Sequence, residues 1–261
     1  MQKLEIIYRS QTITIEYFLR SAKEQKEVIL YLHGLGCCKS DFLDATKTEL
    51  FRDYTLLAID FAGHGGSSYM EKWDMNDLVE ITKLVLEKLD IRTIILIGHS
   101  MGGLVALLFA DIYPEKVKAL INIEGNFTSD DCFFSRQVTL TDYQIFDREN
   151  FENFKIKLRW SNNIGFQIYA DTLDQYKPAR AFYDYSYSLV QHSNSSVLLD
   201  MFLSLHIPKL FVYGSENSKL PYIPTLKQKC ETAEISKSNH FPQHDNPIEF
   251  YNKISEFISN L

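Results

Sequence analysis

Thr93-Ile94-Ile95-Leu96-Ile97-Gly98-His99-Ser100-Met101-Gly102-Gly103-Leu104-Val105-Ala106-Leu107-Leu108-Phe109-Ala110 decides the fold of this chain. Its centre has the form G-x-S-x-G. Residues 93–97 make a continuous β-branched apolar run, the length of a buried strand. Residues 104–110 are apolar and rich in strong helix formers. The pattern predicts a sharp strand-to-helix turn with Ser100 at its apex. Such a turn has no room for side chains at its flanks, hence Gly98 and Gly102. The hydroxyl then stands clear of the backbone at a helix N-terminus, whose free N–H groups favour a developing negative charge. This is what a nucleophilic serine needs. A glycine-rich turn that only packs is the structural alternative.

Working outward, the same rhythm repeats. Lys3 to Arg9 and Thr12 to Phe18 alternate apolar and polar, and predict two antiparallel strands joined at Ser10-Gln11. Glu27 to Leu32 is a buried strand that ends in His33-Gly34-Leu35-Gly36. Asp41 to Phe51 has helical spacing. Thr55 to Ile59 is the next strand, ending at Asp60-Phe61-Ala62-Gly63-His64-Gly65-Gly66-Ser67. Asp74 to Leu89 is an amphipathic helix with Leu78, Ile81, Val85 and Leu89 on one face. Val117 to Ile123 is a buried strand ending at Glu124. From about Phe127 to about His206 the alternation stops, and polar and aromatic residues mix. It resumes with a strand over Pro208 to Gly214, a helix over Tyr222 to Cys230 and a short strand over Glu231 to Ser236. The loop Asn239-His240-Phe241-Pro242 follows, then a last helix over Pro247 to Ile258, N-capped near Asp245 or Asn246. Strands alternating with helices predict an α/β fold with a mainly parallel sheet and helices on both faces. In such sheets ligands bind beyond the carboxyl ends of the strands. His33-Gly34, Asp60, Ser100, Glu124, Gly214 and His240 all fall at such ends.

These residues resemble the α/β-hydrolase superfamily along nearly the whole chain. The matching motifs are His33-Gly34, Asp60-x-x-Gly63-x-Gly65-x-Ser67, Gly98-x-Ser100-x-Gly102 and His240-Phe241-Pro242, in that order. The resemblance implies an eight-stranded twisted sheet and a mainly helical cap inserted after the sixth strand. The expected division is a core of 1–126 and 207–261 with a cap of 127–206.

A serine hydroxyl is a weak nucleophile until a base takes its proton and donors hold the oxyanion. Among the histidines, His240 has the neighbours that resemble the family's base. His244 is placed on or just before the last helix, and His99 is expected to pack in the turn. His33 is expected to hydrogen-bond in its loop, His64 to serve a turn, and His192 and His206 to have no catalytic task. The family's acid usually stands after the seventh strand in G-x-x-D, but here that stretch is Gly214-Ser215-Glu216-Asn217. An amide cannot balance an imidazolium. A minority of the superfamily carries the acid after the sixth strand, which points to Glu124. Glu216 is the alternative, with Asp130 and Asp131 further candidates. The order Ser…acid…His is kept by all of them. The oxyanion donors are expected to be the backbone N–H groups of Leu35 and Met101, whose side chains should also line the pocket. Asp60, in its glycine-rich turn, is expected to support the site rather than react. Most of the aromatic residues of 127–206 should form that segment's own core, with a few facing Ser100.

Composition sets outer limits. The 261 residues fit one α/β domain with an insertion, and 45% are hydrophobic, enough for a full core. A net charge of −7 and no basic tract argue against nucleic acid as the main partner. No apolar leader follows Met1, and no run has the length of a membrane span. Cys37, Cys38, Cys132 and Cys230 form no C-x-x-C pair and no zinc spacing, so free thiols, a cytoplasmic location and no metal are expected. The expected activity is cleavage of a carboxylic ester, thioester or lactone of a small, apolar acyl substrate by Ser100, His240 and Glu124, with no cofactor. A C–C bond hydrolase of a diketone and a hydrolase-like receptor with slow turnover are the alternatives.

Overall fold

Apolar runs that alternate between two facing cores build the sheet. The computed structural model describes residues 1–22, 27–69, 71, 73–176 and 178–261. Among them the strands are β1 (Gln2–Tyr8), β2 (Gln11–Arg20), β3 (Val28–Leu32), β4 (Thr55–Ile59), β5 (Ile94–His99), β6 (Val117–Ile123), β7 (Lys209–Gly214) and β8 (Glu231–Ile235). They pair in the order β1-β2-β4-β3-β5-β6-β7-β8. The β1–β2 and β2–β4 pairs are antiparallel, and the remaining pairs are parallel. Ile29, Tyr31, Ile95, Ile97, Ile121 and Ile123 face one core, while Leu30, Leu32, Leu96 and Leu120 face the other. The period-two pattern of a strand buried on both faces is visible in those two sets.

The helices are α1 (Met75–Lys88), α2 (Met101–Ile112), α3 (Phe133–Thr139), the single turn α4 (Tyr143–Ile145), α5 (Phe151–Arg159), α6 (Ile164–Tyr176), α7 (Ala179–Ser193), α8 (Leu198–Ser204), α9 (Ile223–Lys229), the single turn α10 (Pro242–Asp245) and α11 (Pro247–Ser259). A capping box starts α1: the Asp74 carboxylate accepts from Asp77 N, and that of Asp77 from Asp74 N. Asn246 caps α11, accepting from Glu249 N. Helix α2 is apolar all round and buried from Met101 to Ala110, as a helix sandwiched between layers must be. Helices α3 to α8 lie between β6 and β7 in chain order.

Two local expectations change. Asp41 to Phe51 is not one helix but two 3₁₀ segments, Lys39–Thr46 and Glu49–Phe51. The Thr48 side chain accepts from Leu50 N and starts the second turn afresh. Phe42, Ala45 and Phe51 still bury against the sheet, so the periodic apolar signal was real and only its pitch differs. The first hairpin turns at Arg9 and Ser10 rather than Ser10-Gln11; both have positive φ, 48° and 61°. Paired positive φ matches the twist of the flanking strands. His244 lies in α10, just before the last helix, within the expected placement.

One buried ion pair anchors the loops under the site. Lys39 Nζ lies 2.7 Å from Asp60 Oδ2 and 2.9 Å from Glu16 Oε1. Asp60 also accepts from the backbone N–H groups of Lys39 and Gly66, so it supports its turn as expected. Lys39→Met leaves the wholly buried Asp60 carboxylate without its cation. The expected loss is about 3–5 kcal/mol of stability, read as a lowered midpoint of urea unfolding.

Candidate active site

The strand order turns outward between β3 and β5: β4 lies to one side of β3 and β5 to the other. The end of β3 therefore lies beside the turn after β5, with Leu32 paired to Gly98. That turn is tight in every direction. A Cβ on Gly98 would lie 2.2 Å from the Gly102 carbonyl oxygen, and one on Gly102 would lie 2.3 Å from that of Leu32. Ser100 has φ 54° and ψ −121°, a conformation that costs a non-glycine residue about 1–3 kcal/mol. Such strain persists only where the surroundings impose it, and here β5 and α2 do so.

Met101 N–H opens α2, and Leu35 N–H belongs to the loop after β3. Neither amide meets a backbone acceptor among the described residues. The Leu35 carbonyl accepts from Tyr169 OH at 2.6 Å, so a residue of α6 holds this loop in place.

His240 follows β8, and its Nδ1 is 3.0 Å from Glu124 Oε2. A carboxylate accepts, so Nδ1 carries the hydrogen and Nε2 is left as the basic nitrogen. Glu124 stands just past β6 with φ 46°. Its Oε1 accepts from Gly214 N at 2.8 Å. Asn217 Nδ2 donates to both carboxylate oxygens, 2.9 Å to Oε1 and 2.8 Å to Oε2. The residue in the usual aspartate position thus holds the carboxylate that contacts the histidine. That donor role is absent from the sequence reading of Asn217.

The other candidates meet different partners. Glu216 Oε2 accepts from Asn239 Nδ2 at 2.7 Å. Asp131 accepts from Phe127 N, Thr128 N and Tyr222 OH, and burial raises its pKa. Asp130 is exposed. His33 Nε2 accepts from Phe61 N, and burial takes its pKa down to about 4. His99 Nε2 donates to the His240 carbonyl at 2.7 Å, and burial takes its pKa down to about 3, so the ring is neutral. His64 is buried in its turn, with Nδ1 3.2 Å from the Ala62 carbonyl. His192 lies in α7 and His206 is exposed after α8.

Ser100, His240, Leu35 and Asn126 line one cavity of about 30 Å³, closed by Phe133 and Leu189 from the β6–β7 segment. Met101 does not line it: its side chain is fully buried in the core, and only its backbone faces the turn. Among the described residues no hydrogen bond joins the Ser100 hydroxyl to His240. Such bonds are often long in uncomplexed sites and tighten on substrate. A second cavity of about 560 Å³ lies within the insertion, and Phe133, Phe134 and Phe182 line both spaces. The Phe133 ring meets the His240 ring edge-on at 5.8 Å.

The family model described as alpha/beta hydrolase fold matches residues 27–176. A Mycoplasma genitalium protein named "Putative esterase/lipase 2" is 23% identical over 270 residues, covering 96% of each chain. A thermophilic esterase from Thermogutta terrifontis superposes with a TM-score of 0.83 at 17% identity, covering 100% of this chain and 99% of that one. A structure from Nitrososphaera gargenis, in work on carboxylesterases, gives 0.78 at 17% identity and 98% coverage of both chains. The chain belongs to the alpha/beta hydrolase fold family, and is a hydrolase by family and fold. Among the described residues no helix is long and apolar enough to cross a membrane.

Proposed function

We propose that the protein is a serine hydrolase that cleaves carboxylic esters through an acyl-enzyme. The observation that carries this reading is the His240–Glu124 hydrogen bond at the wall of a cavity that also holds Ser100 on its strained turn. In this reading His240 Nε2 takes the Ser100 proton as the hydroxyl attacks the substrate carbonyl. The oxyanion is held by Leu35 N–H and Met101 N–H, each worth about 10²–10³ in rate. His240 then returns the proton to the leaving alcohol. Glu124 orients the imidazole and balances its charge, and water releases the acid by the same steps in reverse. The names of the Mycoplasma and Thermogutta relatives support ester chemistry. Labelling with a fluorophosphonate and mapping the modified peptide tests the assignment. The expected adduct is on Ser100, and absence of labelling on that peptide refutes it.

Residues 127–206 act as the cap of this site, over a core of 1–126 and 207–261. The 30 Å³ cavity is too small for an ester's acyl group, whereas the adjoining 560 Å³ space is ample. The longer arm of the substrate lies in that second space, past Phe133 and Phe134. Asn153 lines it and is solvent-exposed, so a larger side chain is tolerated there. Asn153→Trp is expected to cut kcat/KM for an octanoyl ester roughly tenfold while sparing an acetyl ester. Assays across p-nitrophenyl esters of rising acyl length read the change; equal effects on both would move the acyl group elsewhere.

A further inference from the structure

Behind the catalytic serine, three buried donor atoms from separate elements converge. Cys37 lies in the loop after β3, Asp41 in the 3₁₀ segment that follows, and His99 at the end of β5. The Cys37 sulfur, an Asp41 oxygen and a His99 ring nitrogen all lie within 4.8 Å of one another. His99 Nε2 faces the His240 carbonyl, which can only accept, so Nε2 carries the hydrogen and Nδ1 is a bare lone pair. His99 Nδ1 and Asp41 Oδ2 are both buried and have no hydrogen-bond partner among the described residues. The cluster therefore presents two unpartnered acceptors and one thiol. One weak S–H proton cannot satisfy both acceptors, whereas a cation satisfies the whole set.

We propose that Cys37, Asp41 and His99 form a binding site for a thiophilic divalent cation of the zinc class. Mixed sulfur, nitrogen and oxygen donors suit zinc, whereas calcium and magnesium require oxygen cages. An imidazole whose other N–H is tied to a backbone carbonyl is the usual orientation of a metal-bound histidine. His244 Nε2, 3.7 Å from Asp41 Oδ1, stays outside the three-donor cluster, so the fourth tetrahedral position falls to water. Entry is from the catalytic cavity, since Cys37 and His99 both line it. Binding displaces the Cys37 thiol proton to solvent and forms a sulfur–metal bond, with no change of oxidation state. The bound ion ties the β3 loop to the end of β5. The spacing of 37, 41 and 99 along the chain resembles no zinc motif, because the sheet rather than the sequence brings them together.

The test is a titration of chelator-stripped full-length protein with Co²⁺ and with Zn²⁺. Expected are a thiolate-to-cobalt charge-transfer absorption that saturates at about one equivalent per chain, its loss on adding Zn²⁺, and a Tm raised by Zn²⁺. Cys37→Ser abolishes the absorption, the neighbouring Cys38→Ser keeps it, and Asp41→Asn weakens Co²⁺ binding by about tenfold or more. Should Asp41→Asn fail to fold, the two cysteine variants decide. A wild-type protein with no saturable absorption, or an absorption that survives Cys37→Ser, overturns the site and leaves the orphaned atoms to ordered water.

Discussion

Ser100→Ala is expected to lower ester turnover by on the order of 10⁶-fold, with the fold intact. The change removes one oxygen that has no hydrogen-bond partner among the described residues. It does not relieve the backbone, because alanine carries the same Cβ through φ 54° as serine does. Thermal unfolding should therefore be little altered while the fluorophosphonate label disappears. The rate should not fall to that of water. In the proposed mechanism Leu35 N–H and Met101 N–H remain to hold the oxyanion, and residual catalysis of about 10³–10⁴-fold over solution is typical of such sites. A variant that retained wild-type turnover would remove Ser100 from the chemistry and with it the proposed acyl-enzyme.

The parts of this site that follow from strand ends were legible in the residue pattern itself. A β-branched run followed by G-x-S-x-G has few conformations open to it, and its glycines are needed where the turn presses on the Gly102 and Leu32 carbonyls. Helix α1 was visible because it buries a single face: it follows its apolar stripe and starts at Asp74. The insertion was less legible because its aromatic residues pack on several sides at once. Phe134, for one, meets Phe133, Phe154 and Phe166, so no single period describes it. Contacts between side chains from neighbouring strands were invisible for a different reason. The Asn217–Glu124 contact exists because β6 and β7 are adjacent, and Cys37, Asp41 and His99 meet only because β3 pairs with β5. Met101 was expected to line the pocket, but the helical direction of α2 sends its side chain into the core.

Glu124→Gln is expected to cost about 10³–10⁴ in kcat, with far less effect on KM for short esters. Glu124 Oε1 accepts from Gly214 N and Asn217 Nδ2, and Oε2 from Asn217 Nδ2 and His240 Nδ1. Every neighbour is a donor, so a carboxylate fits and an amide does not. Whichever way the substituted amide turns, its own NH₂ group points at a donor. Facing His240, that NH₂ favours the tautomer with hydrogen on Nε2, which cannot take the Ser100 proton. Facing Gly214 instead, it leaves an uncharged oxygen against the ring and nothing to balance the imidazolium. Glu216→Gln should change turnover less than about twofold, because that carboxylate meets Asn239 rather than the imidazole. Asn217→Ala should fall between the two, at roughly 10–100-fold, since it frees the carboxylate without neutralising it. Steady-state kinetics on one short p-nitrophenyl ester rank the three. If Glu216→Gln were the more damaging, the acid would belong to the loop after β7, and the Asn217 contact would be a structural tie between β6 and β7.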